Sequence, residues 1–292
     1  MRGDPGNFEV LTPTSLPEAL RLMSEAALDQ DSPLLKPLAG GTDLMVLMEM
    51  GALQCERFLS LHAIDELRSF RPEEDSVAIG AAMTFSRIRT EAILREEFPL
   101  LCEAAGQVGA LAIQNRGTLG GNIANASPAA DSAPALLAYD AELEIVSQSG
   151  TRRIPYSAFH TGYKEMQLRP DELIRSILLP RKWKGCHQSF RKVGARAAQA
   201  ISKVSFAGVL RISDGLIQEA RIAMGSVAPT PLRCVHTERA LQGKKLDFSA
   251  IGRAKEALFK EISPVDDIRS NREYRLRVSL NLIEDFLLSA RK

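Results

Sequence analysis

Apolar and polar positions along the chain switch repeatedly between a period of two and a period near 3.6. Residues 8–11 alternate like a short strand. Ser15-Leu16-Pro17-Glu18 then reads as a helix start, with Ser15 as N-cap and Glu18 at the capping-box position. Leu16, Ala19, Leu20, Leu22 and Met23 supply its buried stripe, and residues 30–33 form a loop. A short extended run at 36–39, a helix at 44–50 and a strand at 57–61 complete a β-α-β-α-β block. Residues 66–70 and 76–80 read as strands around the turn 72–75, and 84–94 as one helix, followed by another from Pro99. Residues 132–138 form a short helix that takes Pro134 in its first turn. Strands follow at 142–146, 152–155 and 172–179. The basic, irregular stretch 181–185 reads as a domain joint. Beyond it lie strands at 189–193, 203–212 and 217–227, with Ser213-Asp214-Gly215 as a hairpin turn. Helices at 237–241, 250–262 and 271–288 close the chain, the last with Leu276, Leu280, Ile283 and Leu287 on one stripe. Strands first and helices after is an α+β arrangement.

Two stretches break this pattern. One runs Gln114-Asn115-Arg116-Gly117-Thr118-Leu119-Gly120-Gly121-Asn122-Ile123-Ala124-Asn125-Ala126-Ser127-Pro128-Ala129-Ala130-Asp131. Its glycines let another molecule approach the main chain, and Thr118, Asn122, Asn125 and Ser127 add short hydrogen-bonding groups. The other is Pro37-Leu38-Ala39-Gly40-Gly41-Thr42-Asp43-Leu44, a Gly-Gly turn between a strand and a helix. Exposed amides in such turns suit a phosphate or pyrophosphate. Either stretch alone could be a tight turn; two of them, each with Thr and a carboxylate or Asn, favour a polar ligand held between them. Neither reads Gly-x-Gly-x-x-Gly, so this is not the Rossmann fingerprint.

Composition narrows the class. The 292 residues carry 37 basic and 36 acidic side chains, a net charge of +1, so no nucleic acid or anionic membrane is called for. No apolar run approaches the roughly 20 residues that span a bilayer. Residues 1–7 have no apolar signal core, and a cytoplasmic protein is expected. Cys55, Cys102, Cys186 and Cys234 are scattered without a Cys-x-x-Cys, so they are read as reduced structural thiols and no metal site is expected. His62, His160, His187 and His236 are equally dispersed. The basic cluster around Arg181, Lys182, Lys184, Arg191, Lys192 and Arg196 reads as a solvated surface or a subunit contact.

The two glycine stretches, in this order and with this content, resemble the FAD-binding medium subunit of the molybdenum hydroxylases, the family of xanthine dehydrogenase and aerobic carbon monoxide dehydrogenase. The resemblance runs from about Phe8 to the C-terminus. It implies a two-subdomain FAD-binding fold of the vanillyl-alcohol-oxidase (PCMH) type plus a C-terminal α+β domain of the CO dehydrogenase flavoprotein type. The domains expected are 1–62 and 63–180 for the two FAD-binding subdomains and 186–292 for the C-terminal domain. It implies FAD in this chain, and molybdopterin and [2Fe-2S] clusters in a large and a small partner subunit. Some relatives carry a further iron–sulfur cluster in this subunit; this chain has no cluster-like cysteine insertion, and none is expected.

By the same resemblance Pro37, Leu38, Ala39, Gly40, Gly41, Thr42, Asp43 and Leu44 wrap the pyrophosphate and ribityl chain. Thr118, Gly120, Gly121 and Asn122 form the opposite wall, and Asp131 binds at the nucleotide end. Val108 and Ile174 fall where relatives touch the cofactor, and Arg191 or Lys192 falls near a basic residue that meets the ring. The implied activity is electron transfer: from the partner's iron–sulfur clusters to FAD, then to NAD or another acceptor. No catalytic acid or base is assigned, because the cofactor carries the redox chemistry. A stand-alone flavin oxidoreductase of the same fold, or a flavin-free assembly subunit, are the alternatives.

Overall fold

The computed structural model describes residues 8–29 and 34–291. The loop expected at 30–33 lies outside the described residues. Three sheets succeed one another along the chain. The first is parallel, with Arg57–Ser60 central between Glu9–Leu11 and Leu35–Leu38. Helix Leu16–Leu28 covers it; Ser15 caps it by accepting from the Glu18 amide, while the Glu18 carboxylate reaches back to the Thr14 amide at 3.0 Å.

The second sheet is antiparallel, in the order Phe70–Pro72, Ser76–Gly80, Leu173–Pro180, Glu142–Ser147, Gly150–Pro155. Two expectations fail in this region. Residues 65–68 form a 3₁₀ turn, and only Phe70–Pro72 pairs as strand. The turn buries Leu67 completely, and its carbonyls at Leu67 and Ser69 take the Ala82 and Gly80 amides, so no register remains for a longer strand. The single helix read at 84–94 is two, Phe85–Thr90 and Ala92–Glu97, split where Glu91 becomes extended at ψ 119. A hairpin of His160–Gly162 and Glu165–Met166, unread in the sequence, follows later in the chain.

The third sheet is an antiparallel meander of His187–Val193, Val204–Ser213, Leu216–Gly225 and Leu232–Arg233. Its second strand runs Val204-Ser205-Phe206-Ala207-Gly208-Val209-Leu210 without polar–apolar alternation, because both of its faces are buried. Val204, Phe206 and Leu210 join a core with helices Phe248–Glu261 and Arg272–Ser289, while Ala207 and Val209 join the core of the preceding domain. Helix Ser132–Ala138 is buried all round against that second face. Its alanines therefore serve close helix–sheet packing. The expected stripe of the last helix packs on the core, with Ile283 and Leu287 buried and Leu276 and Leu280 half-buried, and Arg275, Ser279, Leu282 and Phe286 widen the inward face.

The joint at 181–185 is fixed. Trp183 is wholly buried and donates from Nε1 to the Tyr139 carbonyl at 3.3 Å. Lys182 and Arg221 lie 4.6 and 4.8 Å from its ring centroid. Asp140 gathers Lys182, Arg221 and Arg233 at 3.0, 3.0 and 2.6 Å. The basic cluster thus spends part of its charge inside the molecule, and those three cations and the carboxylate hold one another at the seam.

Candidate functional site

The two glycine stretches meet. A Cβ on Gly40 would lie 2.0 Å from the Arg116 carbonyl oxygen and 3.0 Å from the Gly117 Cα, so the two main chains touch there. The Cβ position of Gly121 lies 3.8 Å from the Ala39 Cβ.

The upstream turn is open. Leu35–Leu38 ends, and Gly41, at φ 72, turns the chain into helix Thr42–Glu49. That left-handed conformation costs a residue with a Cβ about 1–2 kcal/mol. No side chain caps this helix. The amides of Thr42, Asp43 and Leu44 belong to its first turn, where no helical carbonyl is available, and they carry the positive end of the helix dipole. Pro37, Leu38, Ala39 and Gly40 are half-buried along the approach, and Asp43 is exposed in that first turn.

The downstream turn is closed. It winds into two short helices, Leu111–Arg116 and Leu119–Ala124. The Leu119 and Gly120 amides donate to the Met83 and Ala81 carbonyls at 3.1 and 2.8 Å. Gly121 donates to the Thr118 hydroxyl at 3.1 Å, and Asn122 to the Thr118 carbonyl at 3.0 Å. The Asn122 side-chain oxygen accepts from Ser132 at 2.6 Å. The Leu119, Gly120, Gly121 and Asn122 amides are therefore taken within the fold, whereas those of Thr42, Asp43 and Leu44 have no acceptor among the described residues. The far end of the downstream turn is covered by the hairpin, where Lys164 donates to both oxygens of Asn125 at 2.7 and 2.8 Å and His160 meets the Ile123 carbonyl at 3.0 Å. Burial pushes the Lys164 ammonium and the His160 imidazole down from their usual values; the charge of Asp43 opposes the first shift and the Ile123 carbonyl the second.

Asp131 stands at the joint with the third sheet. One carboxylate oxygen lies 2.6 Å from Lys192 Nζ and the other accepts from the Ser202 hydroxyl at 2.6 Å. Lys192 also donates to the Gln107 carbonyl at 2.8 Å, and its side chain is only 6% exposed. Burial pushes the Asp131 carboxyl above its usual value, and Lys192 and Ser202 oppose that shift. Strand alternation separates the two basic candidates: Lys192 turns inward to Asp131, while Arg191 is exposed on the other face, near Glu103, whose carboxyl burial pushes up and the Arg191 charge only partly offsets. Val108 is half-buried at the C-terminus of helix Pro99–Gln107, next to Gln107 and so beside Lys192. Ile174 is buried on the central strand, where the register shifts between Ile174 and Ser176. Lys164 and Ser202 carried no signal in the sequence; a lone serine and a hairpin-tip lysine have no pattern to mark them.

Residues 6–182 match the family described as FAD binding domain in molybdopterin dehydrogenase, and residues 189–290 match the CO dehydrogenase flavoprotein C-terminal domain. The xanthine dehydrogenase FAD-binding subunit of Escherichia coli O157:H7 is 34% identical over 266 residues, 90% of this chain and 89% of the relative. The carbon monoxide dehydrogenase medium chain of Hydrogenophaga pseudoflava is 29% identical over 286 residues, 98% of each. Among solved structures, carbon monoxide dehydrogenase from Hydrogenophaga pseudoflava superposes with a TM-score of 0.91 at 30% identity, covering 97% of both chains. Quinoline 2-oxidoreductase from Pseudomonas putida 86 follows with a TM-score of 0.88 at 25% identity, covering 97% of this chain and 96% of that one. Sequence match and fold agree along nearly the whole chain, and the protein belongs to the FAD-binding subunit family of the molybdopterin dehydrogenases, an oxidoreductase component with an FAD-binding domain and a CO dehydrogenase flavoprotein C-terminal domain.

Proposed function

We propose that this chain is the electron-transfer flavoprotein subunit of a three-subunit molybdenum hydroxylase. Electrons would arrive from iron–sulfur clusters of a small partner subunit, fed by the molybdopterin centre of a large one, and leave to NAD or another acceptor. The observation that carries the reading is the approach of Gly40 to the Arg116 main chain, too close for any Cβ at position 40, which brings an uncapped helix start beside the second glycine turn.

The protein's own residues supply binding and orientation. Gly41 and the first-turn amides of Thr42, Asp43 and Leu44 offer donors to a pyrophosphate. Pro37, Leu38 and Ala39 line one side of the cleft, and Thr118, Gly120, Gly121 and Asn122 the other, as shape rather than as donors. Asp131, Lys192 and Val108 belong to the end nearest the C-terminal domain, Ile174 contributes an apolar surface from the central strand, and Arg191 stays outside. Bound FAD supplies two-electron storage and one-electron exchange. A fixed cation such as Lys192 near a flavin favours its negatively charged reduced form. The three sheets support units at 1–62, 63–180 and 186–292. Four unpaired cysteines support a reducing, cytoplasmic location.

The test is to purify the chain through a tag, from its own cells, and analyse what comes with it. FAD released on denaturation, together with molybdenum-binding and iron–sulfur subunits, is the expected result. A folded chain that holds no flavin and takes up none on addition contradicts the reading.

A further inference from the structure

We propose that Ser202, in the C-terminal domain, is a positioning residue for the cofactor, acting through Asp131 and Lys192. The inference rests on the FAD reading above and concerns how the joint end of that site is held.

Ser202 is 1% exposed and donates to the carboxylate oxygen of Asp131 that Lys192 does not use. A carboxylate gripped at one oxygen can still swing; gripped at both, its plane is fixed. Asp131 in turn fixes the ammonium. Lys192 has three N–H donors. Among the described residues one goes to Asp131 and one to the Gln107 carbonyl, which leaves one for a ligand acceptor. Ser202 therefore sets the direction of that third donor without touching the ligand.

Ser202 is itself anchored. Its carbonyl accepts from the Ser226 hydroxyl at 3.0 Å, and the Ser226 amide donates to the Pro128 carbonyl at 2.8 Å, three residues before Asp131. Ser226 holds φ 64, unusual for a residue with a Cβ. Its carbonyl accepts from Arg275 Nη1 at 2.8 Å, and Arg275 Nη2 lies 2.6 Å from Asp267. A continuous polar chain thus runs from Asp131 to the last helix. It holds Ser202 in place at the end of the exposed stretch 195–199. The C-terminal domain is in this view part of the cofactor site through a hydroxyl as well as through Lys192.

The experiment compares the flavin-free wild-type chain with Ser202→Ala, Ser202→Thr and Ser226→Ala. Each is titrated with FAD by fluorescence quenching, and the midpoint potential of the bound flavin is read by dye-coupled reduction. Ser202→Ala is expected to raise the FAD dissociation constant about fivefold to tenfold, less than the full worth of a hydrogen bond to a charged group because the lost bond is to Asp131 and not to the ligand. It is also expected to shift the midpoint potential, and Ser202→Thr, which keeps the hydroxyl, to restore both. Ser226→Ala removes the bond to the Ser202 carbonyl but leaves the Ser202 hydroxyl on Asp131, so it should lower thermal stability and shift the potential in the same direction as Ser202→Ala but less. A Ser202→Ala chain that unfolds, or that binds FAD as the wild type does with an unchanged potential, overturns the inference and leaves the FAD reading intact. A folded wild-type chain that takes up no FAD overturns the proposed function itself.

Discussion

The two glycine turns have nearly the same composition and opposite hydrogen-bonding states. In the upstream turn the helix after Gly41 starts without a cap, and its first amides have no helical acceptor. In the downstream turn Leu119, Gly120, Gly121 and Asn122 all donate within the fold. What separates them is the neighbour. The Met83 and Ala81 carbonyls lie against the second turn and take the Leu119 and Gly120 amides, while Thr118 takes those of Gly121 and Asn122; the first turn meets the second at Gly40 and Ala39. Glycine content makes close approach possible; the surrounding carbonyls decide whether the approaching group is a ligand or the protein itself.

The contrast can be broken outright at the contact. Gly40→Val forces a side chain into the Arg116 carbonyl, 2.0 Å from the Cβ position. We expect overpacking of about 2–3 kcal/mol and loss of FAD binding, checked by thermal denaturation and flavin titration. At the open turn, Gly41→Ala places a Cβ at φ 72 and should cost about 1 kcal/mol, with weakened FAD affinity because the helix start is displaced. At the closed turn, Thr118→Ala removes the cap on Gly121 and should also cost about 1 kcal/mol, yet leave FAD affinity within about twofold. A Thr118→Ala chain that loses affinity as strongly as Gly41→Ala would erase the distinction between donor turn and wall.

The smallest effect concerns the cover of the closed turn. Burial holds the folded His160 imidazole below its usual value of 6.5, so folding favours the neutral ring. The sign follows: the stability it contributes is fully present above pH 6.5 and declines as pH falls below that value, through the folded pKa. Melting temperature measured across this window should fall in the wild type and fall less steeply in His160→Gln. Equal slopes would remove His160 from the account.

Much of this was legible in the chain. Gly-Gly-Thr-Asp and Thr-Leu-Gly-Gly-Asn marked both turns, because each needs small residues at fixed places; charged–apolar alternation marked the strand at 142–146, and an apolar run ending at Pro180 marked the one at 172–179. The rest depended on distant partners. Whether Gly120 keeps a free amide is decided by Ala81, and no local pattern carries that. Lys192 and Arg191 are adjacent and chemically alike; only the pairing of His187–Val193 with Val204–Ser213 decides which turns toward Asp131. Residues 66–70 had strand-like composition, but the Gly80 and Ala82 amides bind the 3₁₀ turn and its following residue instead. The inward face of the last helix is wider than its apolar stripe, because Arg275 and Ser279, polar by type, are buried by the network at Ser226.

Amide hydrogen exchange on the chain with and without FAD tests the central claim most directly. Peptides covering 40–44 and 118–122 report the two turns separately. The account predicts that 40–44 exchanges quickly in the free chain and gains strong protection with FAD, while 118–122 is already protected and changes little. Equal gains in both segments, or a gain confined to 118–122, would contradict it.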